Sequence, residues 1–265
     1  MEKLKIAITQ IGTDTASSDL VRQVCEDSIL LELCTPIVCD RETDASAADA
    51  LVIVPTTEPA KCPADATLII ATNKTNFMPL SKEPTAEDII RLRVVLERDF
   101  DCRSPRIAIV QDAPMQNPEL ASQVTNEQSI NTYGPYAVEE FLSKDAACHF
   151  DCIITTDGET TCGRLITDLA QEAPVRFFAG RESVVTAVYQ PIHTNEEEEE
   201  EEGLADVSAL THPFYLAIDI VRNRAFYDGA RQNPLQKLYH DKREDRRKDN
   251  APQTNDNKED KGQES

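Results

Sequence analysis

Short apolar runs rich in β-branched residues alternate along this chain with longer stretches whose apolar residues recur at three- and four-residue spacing. The first pattern predicts buried strands and the second amphipathic helices. Lys5–Thr9 predicts a strand, and Ser18–Cys25 a helix opened by Ser17 or Ser18 as N-cap. Leu31–Cys39 is apolar but holds Pro36, which predicts an edge or interrupted strand. Ala50–Val54, ended by Pro55, and Ala66–Ala71 predict two more strands. A helix begins after Thr85, with Glu87 and Asp88 suited to its dipole. It carries Ile89, Ile90, Leu92, Val94, Val95 and Leu96 and runs out near Phe100.

Arg106–Val110 predicts the next strand, and Phe150–Thr155 another, followed by the turn Asp157-Gly158. Leu165–Ala170 reads as helix, Val175–Phe178 and Val184–Val188 as strands, and His212–Asn223 as the last amphipathic helix. Strands alternating with helices predict an α/β protein with a largely parallel sheet. No internal repeat interrupts the pattern.

Charge changes the picture at two places. Lys and Arg number 27 against 48 Asp and Glu, a formal charge of −21. That balance argues against nucleic acid or an anionic membrane as main partner, since both select basic surface. Residues 237–265 carry eight bases and eight acids, so the excess lies before them. Seven of the negative charges form the block Glu196–Glu202, which predicts an extended, solvated acidic loop over 195–203. The tail 241–265 lacks apolar periodicity and is expected to be disordered. No run of 18–20 apolar residues predicts a membrane span, and the N-terminus shows no signal-peptide pattern. Eight cysteines in or beside apolar runs fit free thiols in a cytoplasmic protein.

Candidate chemistry is sparse. With eight glycines the chain has no G-x-G, so the dinucleotide fingerprint is absent. Gly158 and Gly163 echo the G-x-x-x-x-G of a phosphate loop after a strand, but Arg164 and Leu165 stand where Lys and Ser or Thr are required. Cys148, His149 and Cys152 do not make four zinc ligands; on a strand the two thiols share a face and the imidazole takes the other. His193, His212 and His240 form no metal-binding motif.

Several stretches, in order, resemble 4-hydroxythreonine-4-phosphate dehydrogenase. They are Lys5–Gln10, Leu31–Val38, Asp99-Phe100 with Pro105–Val110, Tyr133-Gly134-Pro135-Tyr136-Ala137, His149–Asp151, Ala217–Arg224 and Asn233–Tyr239. The resemblance implies a two-lobed fold like isocitrate and isopropylmalate dehydrogenases, divided here at 1–104 (shortened) and 105–240. It also implies a homodimer, or a heteromer with an authentic family member. That family performs an NAD- and divalent-metal-dependent oxidation and decarboxylation in vitamin B6 biosynthesis.

The family's catalytic signatures do not carry over. Its glycine-rich G-D-P-A-G-I-G-P-E segment is replaced by Gly12–Asp19. Of three metal-binding histidines, the one in G-H-T-E has no counterpart between Pro55 and Thr67, the one in N-P-H-A-G reads Met115, and the one in Y-H-D-Q-G reads Gly158. T-T-H-I-P aligns with Thr75–Pro79, again without histidine. In the stretch near nicotinamide and substrate Gly180 and Thr186 survive as cofactor-binding candidates, while the arginine reads Val185. Arg164 and Arg181 are anion-binding candidates, and Asp112, Asp157 and Glu159 are candidates for a carboxylate site that would hold a harder metal such as magnesium. The expectation is a degenerate, non-catalytic relative with a binding or regulatory role that uses neither NAD nor metal. The alternatives are an active NAD-dependent oxidoreductase with a rearranged site, and a binder of a small anionic ligand.

Overall fold

A computed structural model describes residues 3–11, 15–40, 45, 47–55, 59–143, 147–169, 173–190 and 207–232. The acidic run Glu196–Glu202, His193, His240, the segment Gly12–Asp14 and the tail 241–265 lie outside them. Residues 1–229 form one compact unit; of the second, 230–265, the structure describes Ala230–Gln232.

The chain runs β1 (Leu4–Ile11), α1 (Thr15–Cys25), α2 (Ser28–Leu33), β2 (Cys34–Cys39), β3 (Ala50–Pro55), β4 (Thr67–Ala71), β5 (Asn76–Pro79) and α3 (Ala86–Asp99). It continues β6 (Arg106–Gln111), α4 (Leu120–Gln128), β7 (Asn131–Ala137), α5 (Val138–Ser143), β8 (Cys152–Thr155), α6 (Glu159–Leu169), β9 (Val175–Ala179), β10 (Val184–Val188) and α7 (Val207–Gln232). All ten strands join one sheet in the order β2-β1-β3-β10-β9-β4-β5-β8-β6-β7. Six of its nine pairings are parallel; the three antiparallel ones, β10–β9, β9–β4 and β4–β5, are consecutive in the middle. The α/β class and largely parallel sheet are therefore as the sequence predicts. Strands from 1–104 and 105–240 are interleaved: β3 pairs with β10, β4 with β9, and β5 with β8.

Both faces of the sheet are covered, which is why its strands read as nearly continuous apolar runs. On one face Ile6, Val52, Ile69, Ile107 and Phe177 pack with Leu92 and Leu96 of α3, Val124 of α4, and Phe214 and Ile218 of α7. On the other, Ile53, Ile70, Phe77, Ile153 and Phe178 pack with Phe141 of α5 and Cys162 and Leu165 of α6. Helix α3 starts where its sequence dictates. Thr85 Oγ1 accepts from the Asp88 backbone N–H, and the Asp88 carboxylate accepts from that of Thr85, a reciprocal capping box.

Several elements depart from the sequence pattern. Residues 28–33 are helical before β2 begins, and Cys148-His149 sits in a 3₁₀ turn, Ala147–His149, rather than on a strand. The one-face-each geometry expected of Cys148, His149 and Cys152 is thus replaced: two exposed residues on a turn precede a fully buried Cys152. Helix α6 starts at Glu159, six residues before the predicted Leu165, and α7 extends well beyond both predicted ends. Strand β7 is bulged. Ala108 faces Tyr133 and Val110 faces Tyr136, so Gly134 and the cis-linked Pro135 oppose the single residue Ile109.

A buried ion pair ties three elements together. Asp99, the last residue of α3, accepts from Arg224 Nε (2.7 Å) and Nη2 (3.0 Å) on α7. Arg224 Nη1 also donates to the carbonyls of Arg181 and Glu182 in the β9–β10 turn. Asn223 Nδ2 reaches the Asp99 carbonyl at 2.9 Å.

Candidate functional site

Strands β5, β8 and β6 run parallel and end together at Pro79, Thr155 and Gln111. The loops leaving such carboxyl ends are where open α/β sheets build ligand sites. Gly158 lies on the loop after β8 and Met115 on that after β6. Both loops dock on the segment following β5: Gly158 N–H donates to the Leu80 carbonyl (2.7 Å), and Gln116 N–H donates to Glu83 Oε1 (2.7 Å). The turn Gly180–Ser183 leaves β9, which runs in the same direction as β5, at this same end of the sheet.

Hydrogen bonds within the chain fix the β8–α6 turn. The Thr155 carbonyl accepts from Leu80 N–H (2.9 Å) and Thr155 Oγ1 donates to the Gly158 carbonyl (3.0 Å). Asp157 Oδ2 accepts from Thr161 N–H (3.1 Å) and Thr161 Oγ1 (2.8 Å), satisfying donors of the first turn of α6. Glu159 faces Arg176 of β9 in a two-armed pair, 2.7 Å from Oε2 to Nη1 and 2.8 Å from Oε1 to Nη2. Arg176 is 3% exposed and Glu159 17%, so this is an interior ion pair. The Nε of Arg176 is buried without a partner.

Side chains around that pair are tuned by burial. Burial pushes the Cys62 thiol up against the pull of Arg176, and pushes the Cys162 thiol well above its ordinary value with Glu159 adding to the effect. The Tyr189 phenol is raised by burial and then by the Cys162 and Glu159 charges. These groups are held protonated at neutral pH, which gives neither a thiolate nucleophile nor a general base.

The other candidates are placed as follows. Met115 is buried in the core, its N–H donating to Gln111 Oε1 (3.1 Å). Asp112 is exposed on the β6 loop. Gly180 opens the β9–β10 turn at φ +89°. Thr186 is fully buried in β10, and its Oγ1 donates to the Pro213 carbonyl inside α7 (3.0 Å). Arg181 pairs with Asp65 (3.3 Å) and Arg164, on the exposed side of α6, with Glu139 (3.8 Å). An anion at either arginine would compete with a carboxylate already in place. Among the described residues no group of three His, Cys, Asp or Glu side chains is placed to hold a metal ion, and no helix is long and apolar enough to cross a membrane. The residues at the implied ligand positions therefore do not fit a divalent cation: one is a core thioether, one has no side chain, and Asp157 and Glu159 beside it are bonded internally.

Arg176 escaped sequence reasoning, yet it had a signal. A guanidinium inside the apolar run Val175–Ala179 requires a buried anionic partner. Asp99 had one too, an acid at the C-terminal end of a helix where the dipole disfavours it.

The chain is 32% identical over 178 residues to 4-hydroxythreonine-4-phosphate dehydrogenase of Bacteroides thetaiotaomicron, a match covering 63% of this chain and 48% of that protein. It thus spans about half the length of the curated relative it matches. Its fold is shared by a 4-hydroxythreonine-4-phosphate dehydrogenase structure from Salmonella typhimurium, at TM-score 0.56 and 12% identity over 83% of this chain and all of that one. It is shared also by the enzyme from Burkholderia phymatum, at TM-score 0.53 and 11% identity over 83% and 99% of the two chains. No family model matches the sequence. Over those 178 residues the chain is similar in sequence to a 4-hydroxythreonine-4-phosphate dehydrogenase, and it shares the fold of two others.

Proposed function

We propose that this chain is a non-catalytic relative of 4-hydroxythreonine-4-phosphate dehydrogenase with a binding or regulatory role. One observation carries the reading. Where the resemblance puts metal-binding imidazoles, Met115 fills the core and Gly158 offers no donor, while Asp157 and Glu159 beside it are bonded internally. In the related enzymes a divalent cation would act as Lewis acid for decarboxylation of a β-keto acid; no residue described here assembles that cage. The same reading makes the protein a cytoplasmic dimer, paired with a copy of itself or with an authentic family enzyme, its eight cysteines free thiols.

The test is calorimetric titration of metal-stripped protein with NAD, alone and with magnesium, manganese or zinc. Alongside it, absorbance of reduced nicotinamide is followed with phosphorylated hydroxy acids as substrates. The expected result is no metal-dependent NAD binding and no reduced nicotinamide. Saturable NAD binding that tightens with metal, together with turnover, would establish an active oxidoreductase with a rearranged site. Binding of a phosphorylated acid without turnover would favour a small-anion binder.

A further inference from the structure

We propose that the β8–α6 turn, at the implied third metal position, has become a metal-independent latch in which the Glu159–Arg176 ion pair fastens α6 to the sheet. The inference deepens the non-catalytic reading and rests on it for the position of Gly158. Three features carry it. First, both Glu159 oxygens are taken by the two terminal nitrogens of Arg176 at 2.7 and 2.8 Å, the planar two-armed geometry that an arginine offers a carboxylate. A cation reaching for Glu159 would have to displace a guanidinium that is 3% exposed and has no solvent to retreat into.

Second, Asp157 is spent on Thr161 through both its N–H and its hydroxyl, so using it as a ligand would strip the first turn of α6 of its cap. Third, the turn is pinned from below: Gly158 N–H is bound to the Leu80 carbonyl and the Gly158 carbonyl to Thr155 Oγ1. The helix end that a bound ion would organise is already organised by the chain itself. The pair lies on the sheet face lined by Ile70, Phe77, Phe178 and Cys162, so it joins a helix to a central strand across an apolar layer.

Thermal melts of the full chain test this. Glu159→Gln keeps the shape of the side chain but leaves Arg176 without its counter-charge, and should lower Tm by about 10 °C. The double variant Glu159→Leu/Arg176→Met removes both charges and should melt above Glu159→Gln, because no buried charge is left unpaired. Wild-type Tm should stay the same after chelation and with added magnesium or manganese. A saturable metal-induced rise of several degrees in wild type that Glu159→Gln abolishes would overturn the latch. So would an unchanged Tm in Glu159→Gln, or a double variant less stable than the single one. The two proposals fail separately: turnover with a metal-indifferent Tm would sink the non-catalytic reading alone, and metal stabilisation without turnover would sink the latch alone.

Discussion

Replacing Gly134 by alanine isolates what the β7 bulge contributes. A Cβ there would lie 2.6 Å from the Ile109 carbonyl oxygen, 3.1 Å from Tyr136 N and 3.2 Å from Tyr136 Cδ2, at φ +106°. The first two are backbone atoms, and Ile109 is fully buried and paired through β6 to Ile154 of β8, so relief requires moving a central strand. The backbone conformation alone costs a side chain about 1–3 kcal/mol. Forcing apart a packed contact costs roughly 1–3 kcal/mol more. The sum, about 4 kcal/mol, corresponds to a Tm lower by about 8–16 °C for a unit of this size. Gly180→Ala is the control, since φ is +89° there but no atom lies within 4 Å of the added carbon. It should bear only the conformational part, about 1–3 kcal/mol. Urea melts with a common slope would give both values and their difference. If Gly134→Ala proves no less stable than Gly180→Ala, the bulge yields to an added carbon and the close approach does not constrain it.

Asp99→Asn should lower stability by about 2–4 kcal/mol, read as a shift in urea midpoint, because Arg224 loses its counter-charge while keeping the Arg181 and Glu182 carbonyls. Thr85→Ala should cost about 1 kcal/mol by loss of the α3 cap. Burial acts to raise the Asp88 carboxyl, but the Thr85 hydrogen bonds and Lys82 overcome it and leave the group below its ordinary value. A depressed acid stabilises the fold above its unfolded pKa and loses that contribution as pH falls through the folded one, so Thr85→Ala should also flatten the acid limb of a Tm–pH curve. At the alkaline end, burial, with Cys25 adding and Lys3 opposing, raises Cys34 to about 11; burial and Asp151 do the same for Cys102. The folded protein then holds protons that the unfolded chain releases near 9, so the urea midpoint should fall as pH rises from about 9 to about 11.

The strands that the sequence revealed are those buried on both faces, such as Arg106–Gln111 and Val184–Val188, whose apolar runs have no other explanation. What stayed hidden depends on distant partners. Strand β5 is four residues ending in Pro79, too short to show a period, and exists because β4 and β8 flank it. Strand β7 carries Gly134 and Pro135, which argue against a strand unless, as here, it is a bulged edge. Helix α4 lacks a side-chain N-cap and is held by Leu120, Ala121 and Val124 against the core. At the candidate site Met115 and Gly158 were legible as departures from a ligand pattern. The partner that occupies Glu159 was not, because Arg176 follows it by 17 residues on another element.

The position of the β9–β10 hairpin has a consequence for how the chain is made. Five strands lie on one side of β9 in the sheet and four, counting β10, on the other; no other strand bridges the two groups. During synthesis from the N-terminus, β3 and β4 emerge early, yet each waits for residues 175–188 before the strand edge facing the hairpin is paired. From the emergence of Ala71 until that of Val175 the nascent protein therefore carries two open, apolar edges, Leu51–Val54 and Leu68–Ala71, of the kind that recruit other chains. Residues 175–188 act as a late-arriving zip, and a chain stopped before them would be a sticky intermediate rather than a smaller protein.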